Sequence, residues 1–354
     1  MKEADPGARQ TGPEYYPVIG SPWWQLARRR FSRIGFALAT MLIVWIALQY
    51  AVFIGLPEFG IELDKLPTWV FLLASNGPLY LIAMPLAVLM MRAAPALRTR
   101  HFPLGARRFV ELLIMCVPIM YLGNIIGMVL SYVLSRGTAV SEISQLATSG
   151  DPLTVFVVMV VIGPALEEWI FRKQLISRLR RYGERLAIVV SALAFGLLHG
   201  NLFQFFYAFG LGLVLGYVYM RTSRLRYSMA MHMLVNFNGG IVAPWVMRQI
   251  DPKLLDALQA GGSSQETLDR LQGLGAASVT GLGVAAVYGL AMMSLLAAGI
   301  VLLIIRRRRV EFYVAPEELP RGMRARTALW NVGMIGYTVL CLLMIAYALV
   351  AGLL

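Results

Sequence analysis

Residues 153–177 read LTVFVVMVVIGPALEEWIFRKQLIS, and this stretch decides the fold. Its first half is unbroken hydrocarbon. Two adjacent carboxylates, Glu167 and Glu168, and one guanidinium, Arg172, then interrupt it. A helix of this length covers about 30 Å of lipid hydrocarbon at roughly 1.5 Å per residue. Each formal charge at such depth costs about 2.5–3.5 kcal/mol on insertion scales, so three together need internal partners or a purpose. Glu168 and Arg172 are i,i+4 neighbours and can pair. Glu167 lies about 100° round the helix and is left free of that pair. Pro164 removes a backbone hydrogen bond three residues before Glu167, which predicts a kink beside the carboxylate.

The rest of the chain has the same character. Of 354 residues, 58% are apolar and only 14% charged, and the mean hydropathy is +0.67. Soluble domains carry about a quarter charged residues, so lipid is the expected solvent. The net charge of +13 does not indicate a nucleic-acid partner, because the arginines cluster beside apolar runs rather than along one polar face. Cys116 and Cys341 both fall inside apolar spans and are read as packing residues. The polar, Pro/Gly-rich N-terminus lacks the apolar core of a signal peptide.

The apolar runs give nine candidate spans: 34–56, 68–91, 109–134, 153–177, 186–200, 202–220, 227–247, 278–305 and 329–353. The fifth is short and barely separated from the sixth by Gly200-Asn201, which predicts a tight hairpin. Arginines mark every second loop: Arg28–Arg33, Arg92–Arg108, Arg178–Arg185, Arg221–Arg226 and Arg306–Arg309. The alternate loops hold Glu58, Glu62 and Asp64, or Glu142 and Asp151. This is the positive-inside pattern of a chain with a cytoplasmic N-terminus. The expected class is an all-α polytopic membrane helical bundle of about 8–9 transmembrane helices. The expected organisation is a polar cytoplasmic segment at 1–33, membrane spans at 34–150, a catalytic core at 151–247, an extracytoplasmic loop at 248–277 and C-terminal spans at 278–354. Asp251-Pro252 and Ser264 give short helical signals in that loop. Trp23 and Trp24 read as interfacial anchors.

Few other polar groups lie inside spans. Glu111 is one turn from Arg108 and can stay at the interface. His101 sits in a basic loop, but His199 ends span five and His232 lies in span seven, with Asn236 one turn beyond it. Counting from the nearest arginines at about 1.5 Å per residue, Glu167 rises roughly 16 Å, His199 roughly 21 Å, His232 roughly 9 Å and Asn236 roughly 15 Å. All four fall in the middle of the bilayer, on three spans.

A buried carboxylate beside a histidine can hold a water and take its proton. A second histidine and a carboxamide supply donors where an oxyanion would form. Together these make a hydrolytic set with no Ser or Cys nucleophile. Glu167, His199, His232 and Asn236 are equally ligands for a divalent metal such as zinc, although Asn is a weak one. No H-E-x-x-H motif is present. Intramembrane Glu and His also build proton relays, so a proton-coupled transporter is the alternative, and an inactive membrane scaffold or immunity protein a third. Neither repeat symmetry nor paired discontinuous spans favour transport.

Glu167-Glu168-Trp-Ile-Phe-Arg172 reads as EExxxR, Phe195-Gly-Leu-Leu-His199 as FxxxH, and His232-Met-Leu-Val-Asn236 as HxxxN. In this order these resemble the three signatures of the CPBP intramembrane proteases, which group the type II CAAX prenyl endopeptidases with bacteriocin-processing and immunity-related relatives. The resemblance covers about residues 150–240. It implies that Glu167 and His199 activate water, His232 and Asn236 stabilise the oxyanion, and Glu168 and Arg172 support the site. It implies a membrane-associated peptide or protein as substrate, and an integral protein of a prokaryotic cell membrane. The family has been described both as metalloproteases and as glutamic proteases. The metal-free reading, with no cofactor required, is preferred because Asn suits an oxyanion hole better than a zinc shell.

Overall fold

The computed structural model describes residues 19–138, 146, 150–251 and 276–350. Every regular element among them is helical, so the polytopic all-α class read from the sequence holds. In chain order the principal helices are α1 (Pro22–Glu58), α2 (Thr68–Met91), α3 (Ala106–Leu134), α4 (Pro152–Tyr182) and α5 (Glu184–Leu198). Then come α6 (Leu202–Thr222), α7 (Leu225–Phe237), α8 (Ala276–Arg306) and α9 (Val332–Val350). A π turn, Asn238–Val242, carries α7 on into Ala243–Arg248.

Among the described residues seven helices are long and apolar enough to cross a membrane: α1 to α4, α6, α8 and α9. The other two expected spans are also helical. With 15 residues, α5 reaches only about 22 Å. The line of α7 is long enough, but His232, Asn236 and Asn238 make it too polar to count. α1 begins well before the span expected at 34–56, because Ser21 caps it by accepting the Trp24 amide at 3.3 Å and Pro22 opens its first turn.

The arginine-rich ends meet at one end of the bundle. Arg30 donates to the Tyr182 hydroxyl at 2.8 Å, Arg108 to the Tyr217 hydroxyl at 2.9 Å, and Arg178 to the Met91 carbonyl at 2.9 Å. The segment between α8 and α9 folds back onto this end, with the Leu319 amide on the Tyr182 carbonyl at 3.0 Å. Loops that the charge pattern assigned to one side therefore touch. The helical signals at 252–275, and Glu142, lie outside the described residues.

One expectation at this end is corrected. Trp24 is buried at 7% exposure, and its indole N–H donates to Thr327 Oγ1 at 2.9 Å. It seats the short helix Arg324–Ala328 rather than anchoring the chain in the lipid interface. Both cysteines are buried and free.

Two residues set the geometry between α5 and α6. Gly200 turns the chain at φ +63°, a conformation that costs a side chain about 1–2 kcal/mol. Asn201 then caps α6: its Oδ1 accepts the Gln204 amide at 2.9 Å, while its Nδ2 donates to the His199 carbonyl at 2.8 Å. The predicted tight hairpin is therefore locked by one glycine and one asparagine. Against α3, α6 packs backbone to backbone where Gly123 and Gly127 meet Tyr207 and Leu202, the small-residue contact typical of lipid-embedded helices.

Candidate active site

The chemistry-bearing part of α4 is not a regular helix. π turns at Phe156–Ile162 and Trp169–Ile176 bracket a short α segment, Gly163–Glu168. The Gly163 amide bonds to the Val158 carbonyl, five residues back. The kink expected at Pro164 thus takes the form of a π turn, a break that re-aims side chains and recurs at functional sites.

Glu168 is fully buried. Its Oε2 accepts Arg172 Nε at 3.1 Å, the i,i+4 pair read from the sequence. Its Oε1 accepts Nδ1 of His232 at 3.2 Å, a bond the spacing did not reveal. The Ser228 hydroxyl, on the same helix as His232, donates to the Leu225 carbonyl at 3.1 Å. Arg172 donates also to Ser191 Oγ at 3.1 Å, and its guanidinium lies 5.0 Å over the Phe195 ring. Each charged side chain in this knot has at least one charged or polar partner, which is what permits burial in hydrocarbon, although Nη2 of Arg172 is buried without a hydrogen bond among the described residues.

Glu167 points elsewhere, with its side chain 16% exposed and Oε2 3.7 Å from Nε2 of His232. No direct bond joins Glu167 to His199 among the described residues, but the carboxylate acts electrostatically on that ring and on Tyr80 and Tyr207. The Phe195 ring packs edge-to-face against both imidazoles, with ring centres 5.0 Å apart for His199 and 5.6 Å for His232.

The hydrogen-bond partners decide the tautomers. A main-chain carbonyl can only accept, so Nδ1 of His199, 2.9 Å from the Phe195 carbonyl, must be its donor. Nδ1 of His232 likewise donates to the Glu168 carboxylate. In each neutral ring the free Nε2 is then an unprotonated lone pair. His232 becomes a donor at Nε2 only with both ring nitrogens protonated. Asn236 donates from Nδ2 to the Met159 carbonyl at 2.9 Å, which fixes the orientation of its carboxamide and leaves its second N–H without a partner among the described residues.

Ion pairs, hydrogen bonds and ring contacts through Phe195 thus link Glu167, Glu168, Arg172, His232 and His199 across α4, α5 and α7, while Asn236, one turn beyond His232, bonds to the Met159 carbonyl rather than to any of them. Tyr80, Tyr207, Ser191 and Ser228 were missed, since a search for formal charge passes over hydroxyls. The signal was available for the tyrosines, which lie inside spans 68–91 and 202–220 rather than at their ends.

The donor set fits a divalent metal such as zinc in one respect. Metal-binding histidines anchor one nitrogen on a carboxylate or carbonyl and offer the other, as His232 and His199 do. Among the described residues, no three His, Cys, Asp or Glu side chains are gathered as a formed metal cluster.

The stretch holding these helices is the one that matches a known family model. Residues 149–238 match the type II CAAX prenyl endopeptidase Rce1-like family. The Rce1-like segment begins just before α4 and ends two residues past Asn236, so it contains all six residues singled out in the sequence, whereas Tyr80 lies outside it. No curated protein and no solved structure matches the chain. Seven helices long and apolar enough to cross a membrane, together with the Rce1-like segment, mark an integral membrane protein.

Proposed function

We propose that the protein is an intramembrane endopeptidase that hydrolyses membrane-associated or lipid-modified peptides, in the cell membrane of a prokaryote. In this reading a water sits between the Glu167 carboxylate and Nε2 of His199. Glu167 takes its proton as the oxygen attacks the scissile carbonyl. His232, doubly protonated between the two carboxylates, and the second N–H of Asn236 donate to the oxyanion. The C–N bond then breaks, and the proton held by Glu167 passes to the departing amine. Glu168 and Arg172 hold His232 in place. A bound divalent metal, held by Glu167, His199 and His232 with Asn236 as a weak fourth ligand, would acidify the water directly. The metal-free form is favoured because a carboxamide suits an oxyanion hole better than a zinc shell.

The observation that carries the reading is the separation of roles between two adjacent carboxylates. Glu168 is bonded to both Arg172 and His232, whereas Glu167, 3.7 Å from Nε2 of His232, makes no hydrogen bond among the described residues. The test is cleavage of an internally quenched farnesylated CAAX peptide by the purified protein in proteoliposomes. Glu167→Ala should retain the wild-type melting temperature and abolish cleavage. Persistent cleavage by that variant would reject the mechanism.

A further inference from the structure

Pro164 has no catalytic atom, yet it sits where the backbone bonding of α4 fails. In an α-helix the Met159 carbonyl would accept the amide of residue 163; in a π register it would accept that of residue 164. The Gly163 amide is committed to Val158, and residue 164 is a proline with no amide hydrogen. Met159 is thereby left with no helical donor. A buried carbonyl without a partner is costly, most of all in hydrocarbon, and the group that satisfies this one is Asn236 Nδ2 from α7, at 2.9 Å.

We infer that Pro164 is a positioning residue: by withholding an amide hydrogen it leaves the Met159 carbonyl to hold the Asn236 carboxamide in its donating orientation. The inference rests on the proposed role of Asn236, but its backbone argument does not. An ordinary residue at 164 lets α4 close into regular helix, with Gly163 donating to Met159 and residue 164 to Val160. Asn236 then has to share its acceptor with the Gly163 amide, and the bond that holds its carboxamide weakens. Gly163 supports the same turn, because a Cβ there would lie 3.0 Å from the Tyr80 hydroxyl and 3.2 Å from the Val158 carbonyl.

The experiment is Pro164→Ala, alone and combined with Asn236→Ala, in the full-length protein. On the quenched farnesylated peptide, Pro164→Ala should lower kcat about tenfold or more and leave KM within about twofold, as loss of an interaction made only in the transition state does. Thermal unfolding of the four proteins in detergent reads the contact without any substrate. Asn236→Ala should lower the melting temperature in the wild-type background and have much less effect in the Pro164→Ala background, a non-additive cycle. Additive melting shifts, or a wild-type kcat in Pro164→Ala, would overturn the inference. A wild type that cleaves nothing, with a non-additive cycle, would refute the protease reading and leave the positioning intact.

Discussion

Nδ1 of His232 lies 3.2 Å from Oε1 of Glu168, so the carboxylate that pairs with Arg172 also orients an imidazole. This bond fixes which ring nitrogen is turned to Glu167. Glu168→Gln nearly preserves the shape but puts an amide NH2 against either Arg172 or His232. Outer partners of this kind are worth about 10–100-fold in activity. That loss is expected in kcat with little change in KM. A variant with unaltered turnover would show that His232 needs no such support.

The same knot has a stability consequence. Removing one member of a buried ion pair strands the other, at roughly 3–5 kcal/mol. Both Glu168→Ala and Arg172→Ala should therefore melt well below the wild type in detergent, or fail to accumulate. Joint replacement by Leu and Met should recover much of the melting temperature yet remain inactive. Equal melting of the single and joint variants would argue against a coupled pair.

Much of this was legible in the sequence because lipid makes polarity expensive. Glu167, Glu168, Arg172, His199, His232 and Asn236 stood out against apolar spans, and helical spacing paired Glu168 with Arg172. What spacing could not supply was contact between spans. Whether His232 turns to Glu167 or Glu168 depends on how α7 rotates against α4, which no one-dimensional period fixes. Trp24 misled for a related reason: a tryptophan beside a span reads as a lipid anchor until the distant Thr327 is known to receive its N–H.

Gly200 gives a prediction about geometry. Its φ of +63° penalises any Cβ, and one placed there would meet Met344 Cε at 2.8 Å. Gly200→Ala should cost about 1–2 kcal/mol from the backbone alone, read as a lower melting temperature. Because His199 immediately precedes the turn, kcat should fall as well. Met344→Ala in the same chain should relieve the steric part only. Unchanged melting in Gly200→Ala would mean that the turn re-forms without its left-handed residue.

Asp151 gives the acid-side prediction. Its carboxylate accepts the Thr154 hydroxyl at 2.6 Å and the Thr154 amide at 2.8 Å, and these bonds hold its carboxyl below the usual range. The folded state thus prefers the ionised form. Its contribution is present above the ordinary carboxylate value of about 3.9 and is lost as pH falls through the lower, folded value. Asn at this position still caps α4 but does not titrate. Wild type should lose more melting temperature than Asp151→Asn between about pH 5 and pH 2. Parallel curves would show that Asp151 plays no part in acid stability.

The sharpest division is over metal. With metal absent from the mechanism, catalysis depends on Glu167 as proton acceptor and on donors at His232 and Asn236, none of which a chelator can extract. With zinc present, the free Nε2 lone pairs of His199 and His232 are ligands, and removal of the ion removes the acidified water. Prolonged treatment with a strong chelator, followed by gel filtration, should leave cleavage of the quenched peptide within about twofold of the untreated rate, whereas a structural zinc site of ordinary affinity would be stripped. Glu167→Gln tests the proton-acceptor role itself. Without metal it should abolish turnover, since a carboxamide cannot take the proton. Prompt inhibition by chelator, reversed by added zinc, would transfer the activation of water from Glu167 and His199 to a metal held by the same side chains.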